Sequence, residues 1–304
     1  MDRDLRKRVE HLLGVGVSRV REVEGGFTDA RRGVLVLDDG RTAFFKASVD
    51  ELTAKWLRDE HRIYGAPSLR DATFLPRLVA WDPADPLLVI EDLSDGRRPP
   101  PWSPGDVRLL LDGFAAIHAA PVPEGLPTMG LGTDDWLTFH GWRLLRSDPS
   151  DFLRVGLCTE RWFEGSIGAL AEAEAGFDLS GESLLHLDVR SDNLALRDHA
   201  VFFDWNWARR GNPELDVAFS LPNLALEGGP GPWDVMAGSP EAAAVVAGFF
   251  CRQASLPTGG PGDPPAAVRD FQMRQGRVAL DWAARALGLP SPGTRPPRRG
   301  PESE

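Results

Sequence analysis

Within residues 184–211, LLHLDVRSDNLALRDHAVFFDWNWARRG, the carboxylates Asp188 and Asp204 and the carboxamide Asn193 stand among strand-like apolar runs. Runs 194–197 and 200–203 flank Asp198 and His199, a pattern that predicts a β-hairpin. Asn193 immediately precedes the first run and Asp204 immediately follows the second, so pairing brings both side chains to one mouth. They offer two oxygen ligands, a sufficient protein contribution to Mg²⁺ when phosphate oxygens and water complete its shell. Asp188, five residues before Asn193, is then placed to orient or deprotonate a hydroxyl beside a metal-bound phosphate. The competing reading is ordinary turn chemistry, since Asp and Asn abound in loops. Three such residues at this spacing behind a strand pair favour the chemical one.

The elements around this segment divide the chain near residue 93. Residues 3–13 predict an amphipathic helix, and 33–37 (GVLVL) and 41–47 (RTAFFKA) predict a hairpin across Asp38, Asp39 and Gly40, where Asp-Gly supplies the positive φ of a tight turn. Lys46 lies inside the second of these runs. Only Lys7, Lys46 and Lys55 are lysines among 34 basic residues, so a lysine between apolar neighbours points to function rather than to a solvated edge strand. Residues 50–64 carry helical spacing at Leu52, Trp56, Leu57, Glu60 and Ile63, with Asp50 as N-cap. Runs 75–81 and 87–90 predict two further strands. Beyond the proline-rich stretch after Ser94 the periodicity turns helical at 107–119, 158–175, 240–253 and 266–287. Residues 290–304 hold almost no apolar content and read as a disordered tail.

The pattern His186-x-Asp188-x4-Asn193, followed by Asp204-Trp205, resembles the aminoglycoside phosphotransferase and choline kinase superfamily of small-molecule kinases. The likeness spans nearly the whole chain, in the right order. Gly25-Gly26-Phe27-Thr28 is similar to that family's nucleotide loop, Lys46 to its phosphate-binding lysine on the third strand, LLVIEDL (87–93) to its inter-lobe hinge, and Gly211-Asn212-Pro213-Glu214-Leu215-Asp216 to the segment after the metal aspartate. The resemblance implies an α+β, protein-kinase-like bilobal fold: a small antiparallel-sheet lobe at 1–92 for nucleotide, and a mostly helical lobe at 93–289 for catalysis and acceptor. It also implies roles. Gly26, Thr28 and Lys46 would meet the phosphates of ATP or GTP, Glu60 (with Glu51 as a rival) would hold Lys46, and the backbone of Glu91 and Leu93 would bind the purine edge. Asn193 and Asp204 would carry Mg²⁺ and Asp188 would face the acceptor hydroxyl. His186 would shape the loop and Asp216 would pin it.

Composition bounds these readings. The net charge of −11, with about −2 in residues 1–93 and −9 in 94–304, argues against a nucleic-acid backbone binder and suits a cationic small molecule as acceptor. An aminoglycoside-like antibiotic is one acceptor; choline, homoserine, methylthioribose, fructosamine-type and macrolide acceptors stay open, as does a nucleotide-binding pseudokinase. Cys158 and Cys251 lie far apart without a CxxC, so no disulfide framework or zinc site is expected and a reducing cytoplasm is the simplest setting. No run approaches a membrane span, and no membrane partner is expected. Oligomeric state leaves no trace in the sequence. Most of the ten tryptophans are expected in the core, with Trp136 and Trp142 the two that could reach substrate. His118 on an apolar helix face reads as structural, as do both cysteines.

Overall fold

The structure, a computed structural model, describes residues 1–23, 30–130, 139–258 and 265–293. The chain gathers into two compact units, Met1–Leu131 with Ser180–Ser220, and Gly132–Leu179 with Leu221–Glu304.

In the first unit, helix α1 (Arg3–Leu13) is capped by Asp2, whose carboxylate accepts from the Asp4 and Leu5 N–H groups, and ends at Gly14 with φ 66°. Strands β1 (Val17–Glu22), β2 (Arg31–Leu37) and β3 (Thr42–Ala47) form a meander, β2 and β3 joined by the predicted turn with Gly40 at φ 86°. Helix α2 (Glu51–Tyr64) follows, with Asp50 and Thr53 satisfying each other's backbone N–H in a capping box. Strands β4 (Leu78–Asp82) and β5 (Leu87–Glu91) complete an antiparallel sheet of order β1-β2-β3-β5-β4. Strand β4 starts three residues later than the 75–81 expectation, because Pro76 has no N–H to give a ladder.

Alternation along β3 sets the site. Ala43, Phe45 and Ala47 point into an apolar core with Leu5 and Val9 of α1 and Leu87 and Val89 of β5. Lys46 therefore faces the other side of the sheet, toward α2. Helix α3 (Pro104–Ala119), capped by Ser103, packs Phe114 at 5.8 Å from Phe202.

The second unit contributes α4 (Gly141–Ser147), α5 (Ser150–Val155) and α6 (Glu160–Gly176). The first unit resumes with short strands β6 (Ser183–Leu185), β7 (Leu194–Leu196), β8 (Ala200–Phe202) and β9 (Arg209–Gly211), pairing β6 with β9 and β7 with β8. Helix α7 (Pro213–Leu226) then leads to α8 (Pro232–Val235), α9 (Pro240–Ser255) and α10 (Ala266–Ala286). Among the described residues no helix is long and apolar enough to cross a membrane.

Inside the second unit the buried Glu174 of α6 accepts from the Trp142 and Arg143 N–H groups at 2.9 and 3.1 Å, capping α4. Trp142 is fully buried and donates Nε1–H to the Ala244 carbonyl at 2.8 Å, so it is a packing residue; Trp136 lies outside the described residues. Both cysteines are free and buried. Residues 290–293, where a tail was expected to start, are tied back: the Pro290 carbonyl accepts from Trp162 Nε1 at 2.7 Å. Residues 294–304 lie outside the described residues.

Helices α4 and α9 meet at Gly141 and Gly248 so closely that a Cβ on Gly141 would overlap the Gly248 carbonyl. Backbone cannot swing aside as a side chain does. Gly141→Ala is expected to destabilise the protein by about 3 kcal/mol, although alanine is the better helix former by about 1 kcal/mol. Urea unfolding checks this, and an unchanged midpoint would contradict the close approach.

Candidate active site

Lys46, 7% exposed, donates from Nζ to both oxygens of Glu60 at 2.8 and 3.0 Å and to Asp204 Oδ1 at 2.7 Å. Glu60 is the partner; Glu51 lies exposed in the first turn of α2. Burial works against the Lys46 charge, but the Asp204 and Glu60 carboxylates outweigh it and raise its pKa. Burial likewise pushes Glu60 up to about 7 against the pull of Lys46. For Asp204 the balance tips the other way: burial opposes ionisation, yet Lys46 and then Arg190 hold its carboxyl at about 2.

The hairpin β7–β8 brings its ends together as its pairing requires. The Asn193 carbonyl accepts from the Phe203 N–H at 3.1 Å, one residue from Asp204. Asn193 donates its amide hydrogens to the carbonyl and Oδ2 of Asp188, at 2.8 and 3.1 Å, which leaves its oxygen as the end that can ligate. Burial raises Asp188 to about 6, against the Arg190 cation that draws it down.

Two non-glycine residues with φ above zero occur among the described residues, Leu187 at 64° and Asp204 at 71°, and both lie in this loop region. Asp216 secures the first. Its buried carboxylate accepts from the Leu187 and His186 N–H groups at 2.7 and 2.9 Å and meets His118 Nε2 at 3.2 Å. His186 Nδ1 accepts from the Asp188 N–H at 3.2 Å, so the proton sits on Nε2, which donates to the Phe203 carbonyl at 3.0 Å. Burial keeps that imidazole neutral by lowering its pKa. The geometry gives His186 two backbone partners, the pattern of a residue that shapes the loop.

Glu91 and Leu93 sit at and beyond the end of β5. The Glu91 N–H pairs with the Arg77 carbonyl at 2.9 Å and its carboxylate is held by Arg197 at 2.7 Å. Leu93 is buried against Ala195, Val201 and Phe203. Neither touches the Lys46 cluster. Gly26 and Thr28, with Gly25 and Phe27, lie outside the described residues.

Two residues escaped the sequence reading. Arg190 pairs with Asp188 Oδ1 and with both oxygens of Asp192, at 2.9 and 3.1 Å for the latter. Its position two residues after Asp188 was the available signal. Tyr64 donates or accepts at Glu60 and Asp204; it follows Glu60 by one helical turn, which places both on one face of α2.

Among the described residues no cluster of three or more His, Cys, Asp or Glu forms a metal cage. The donor set still fits an open Mg²⁺ site. Asp204 stays ionised with Oδ1 on Lys46, and its second oxygen and the Asn193 oxygen are hard donors of the kind Mg²⁺ takes beside phosphate.

A buried lysine thus bridges a helix glutamate and a loop aspartate, and an Asp–Asn pair stands just ahead of a short hairpin. Residues 19–244 match the phosphotransferase enzyme family, and the chain belongs to that family. A comparison with curated proteins returns no match. Among solved structures the chain is similar to a choline/ethanolamine kinase family protein from Mesorhizobium loti (14% identity, 94% of this chain and 97% of that one, TM-score 0.63). It is also similar to a putative fructosamine-3-kinase from Thermobifida fusca (22% identity, 92% and 99%, TM-score 0.53). A third likeness is to a spectinomycin phosphotransferase in complex with ADP and spectinomycin (11% identity, 93% and 98%, TM-score 0.57).

The charge cluster makes a pH-dependent prediction. Asp204, at about 2 against an ordinary 3.8, contributes stability that is present above the unfolded value and lost as pH falls through the folded one. Lys46→Met removes the cation, so burial prevails and both carboxyl groups titrate higher. The substitution is expected to cost about 3–5 kcal/mol near pH 8 and clearly less near pH 5, where protonation relieves the buried charges. Urea unfolding at the two pH values measures this, and equal costs would contradict it.

Proposed function

We propose that the chain is a nucleotide-dependent kinase that moves the γ-phosphate of ATP or GTP to a hydroxyl of a small molecule. The observation that carries the reading is the buried Lys46–Glu60–Asp204 cluster beside the Asp188–Asn193 pair. Residues 1–92 would hold the nucleotide and 93–289 the acceptor, with Glu91 and Leu93 supplying backbone to the purine and Gly26 and Thr28 meeting phosphates. Lys46 neutralises phosphate charge, and Glu60 keeps its ammonium from swinging away. Mg²⁺, held by Asp204 and Asn193, supplies further neutralisation of the phosphate oxygens when bound.

Asp188 accepts the hydrogen bond of the acceptor hydroxyl. The hydroxyl oxygen forms a bond to the γ-phosphorus as the bond from that phosphorus to the β,γ-bridging oxygen breaks; the nucleoside diphosphate leaves and the hydroxyl proton passes to Asp188 and on to solvent. A carboxyl at about 6 is ionised at neutral pH and basic enough to take that proton.

The acceptor we favour is cationic and aminoglycoside-like, because residues 94–304 carry most of the −11 charge and an acidic surface concentrates polyamines. The fold hosts many acceptors, so the test is a panel. Release of nucleoside diphosphate from ATP and GTP is measured with aminoglycosides, choline, homoserine, fructosamines, methylthioribose and macrolides. Asp188→Ala is expected to lower acceptor-dependent turnover by about 10²–10⁴-fold with Mg-nucleotide affinity nearly intact, whereas Asp204→Ala lowers both. Equal loss of nucleotide affinity in the two variants would overturn the assigned roles, and tight nucleotide binding without turnover on any acceptor would favour a pseudokinase.

A further inference from the structure

Asp204 has to be held at two points. Its carboxylate is fixed by Lys46 at 2.7 Å. Its backbone, at φ 71° and ψ 54°, is in the left-handed region that non-glycine residues adopt only when the surroundings impose it. The group that receives the Asp204 N–H is the hydroxyl of Tyr64, at 3.1 Å. Tyr64 Oη in turn faces Glu60 Oε2 at 3.5 Å. A hydroxyl that accepts from one neighbour has its own proton to give, and Glu60 is the carboxylate toward which it points.

These contacts close a ring. Glu60 binds Lys46, Lys46 binds the Asp204 side chain, the Asp204 main chain binds Tyr64, and Tyr64 returns to Glu60. Both anchors of Asp204 therefore lead to one carboxylate on one face of α2. Tyr64 is itself buried, 8% exposed, so its hydroxyl lies away from the protein surface. Burial and the two neighbouring carboxylates raise its pKa far above the ordinary value, which keeps the proton on the ring oxygen.

We infer that Tyr64 is a positioning residue whose hydroxyl fixes the main chain of Asp204, and so sets the direction in which that carboxylate presents its free oxygen to a metal–nucleotide complex. The inference rests on the kinase reading for its consequence but not for the contact itself. Loss of the hydroxyl leaves the ring packing intact and frees the Asp204 backbone to relax out of the left-handed region.

Tyr64 is the only tyrosine in the chain, which makes the test direct. Chain labelled with 3-fluorotyrosine gives one ¹⁹F resonance, and in the nucleotide-free state Asp204→Ala is expected to shift it, while Glu51→Gln on the exposed first turn of α2 leaves it in place. A resonance that ignores Asp204→Ala would sink the contact whether or not the protein is a kinase, and this arm needs no Tyr64 variant to fold. In the second arm, Mn²⁺ binding to the ADP complex is followed by electron paramagnetic resonance. Tyr64→Phe is expected to weaken Mn²⁺ binding by about 10-fold and to leave Mn²⁺-free ADP binding unchanged. Unaltered Mn²⁺ affinity would overturn the positioning role, as would a wild-type chain that binds no Mn²⁺ with ADP; absence of ADP binding in the wild type would instead overturn the kinase reading.

Discussion

The site depends on one buried ammonium. Lys46 is a charge in a place where charge is costly, and it stays because Glu60 and Asp204 meet it at hydrogen-bonding distance. The constraint runs outward from there. For the ammonium to reach both carboxylates, β3 must present Lys46 on the face away from α1, α2 must start at the Asp50 cap so that Glu60 falls on its inner side, and the hairpin β7–β8 must end with Asp204 turned back into the left-handed region. Each requirement is local in sequence and simple in kind. Their coincidence at one atom makes the arrangement specific.

The second support is Asp216, which does for the loop at Leu187 what Tyr64 does for Asp204. Its carboxylate gathers two successive N–H groups and thereby stabilises a residue at φ 64°. His186 is locked by backbone partners on both ring nitrogens. The main chain leading to Asp188 is thus held by the protein's own side chains, which on the kinase reading is the preorganisation that positioning and electrostatics call for.

The parts of this site legible in the sequence are those that short-range rules determine. A hairpin read from 194–197 and 200–203 brings Asn193 to Asp204, because pairing leaves the ends of two short strands no other place to be. The helical spacing of α2 and its Asp50 cap put Glu60 on the inner face. Tyr64 and Arg190 were missed for different physical reasons: Tyr64 acts through a partner distant in sequence, whereas Arg190 has near partners whose pairing depends on how the loop turns. The hydroxyl of Tyr64 finds a backbone N–H 140 residues away, and Arg190 folds back onto Asp188 instead of reaching into solvent. The same holds for the meeting of Gly141 with Gly248, where no periodicity announces that two helices must touch. The late start of β4 was legible after all, since Pro76 forbids the ladder bond the apolar run suggests.

Charge bookkeeping across the cluster explains why the proposed chemistry would call for a divalent cation. Two cations, Lys46 and Arg190, stand among four acids, Glu60, Asp188, Asp192 and Asp204. Even with Glu60 partly protonated at about 7, the loop is acidic where a nucleotide's phosphates would have to lie. Coulomb repulsion between such a cluster and a polyphosphate is unfavourable at any separation that permits transfer, and more so where water is excluded. Asp204 does not relieve it by taking a proton, because Lys46 holds it ionised down to about pH 2. On the kinase reading, that persistent charge is the feature that makes a metal ion the natural bridge: the carboxylate that would repel bare phosphate becomes the ligand that retains the cation carrying it.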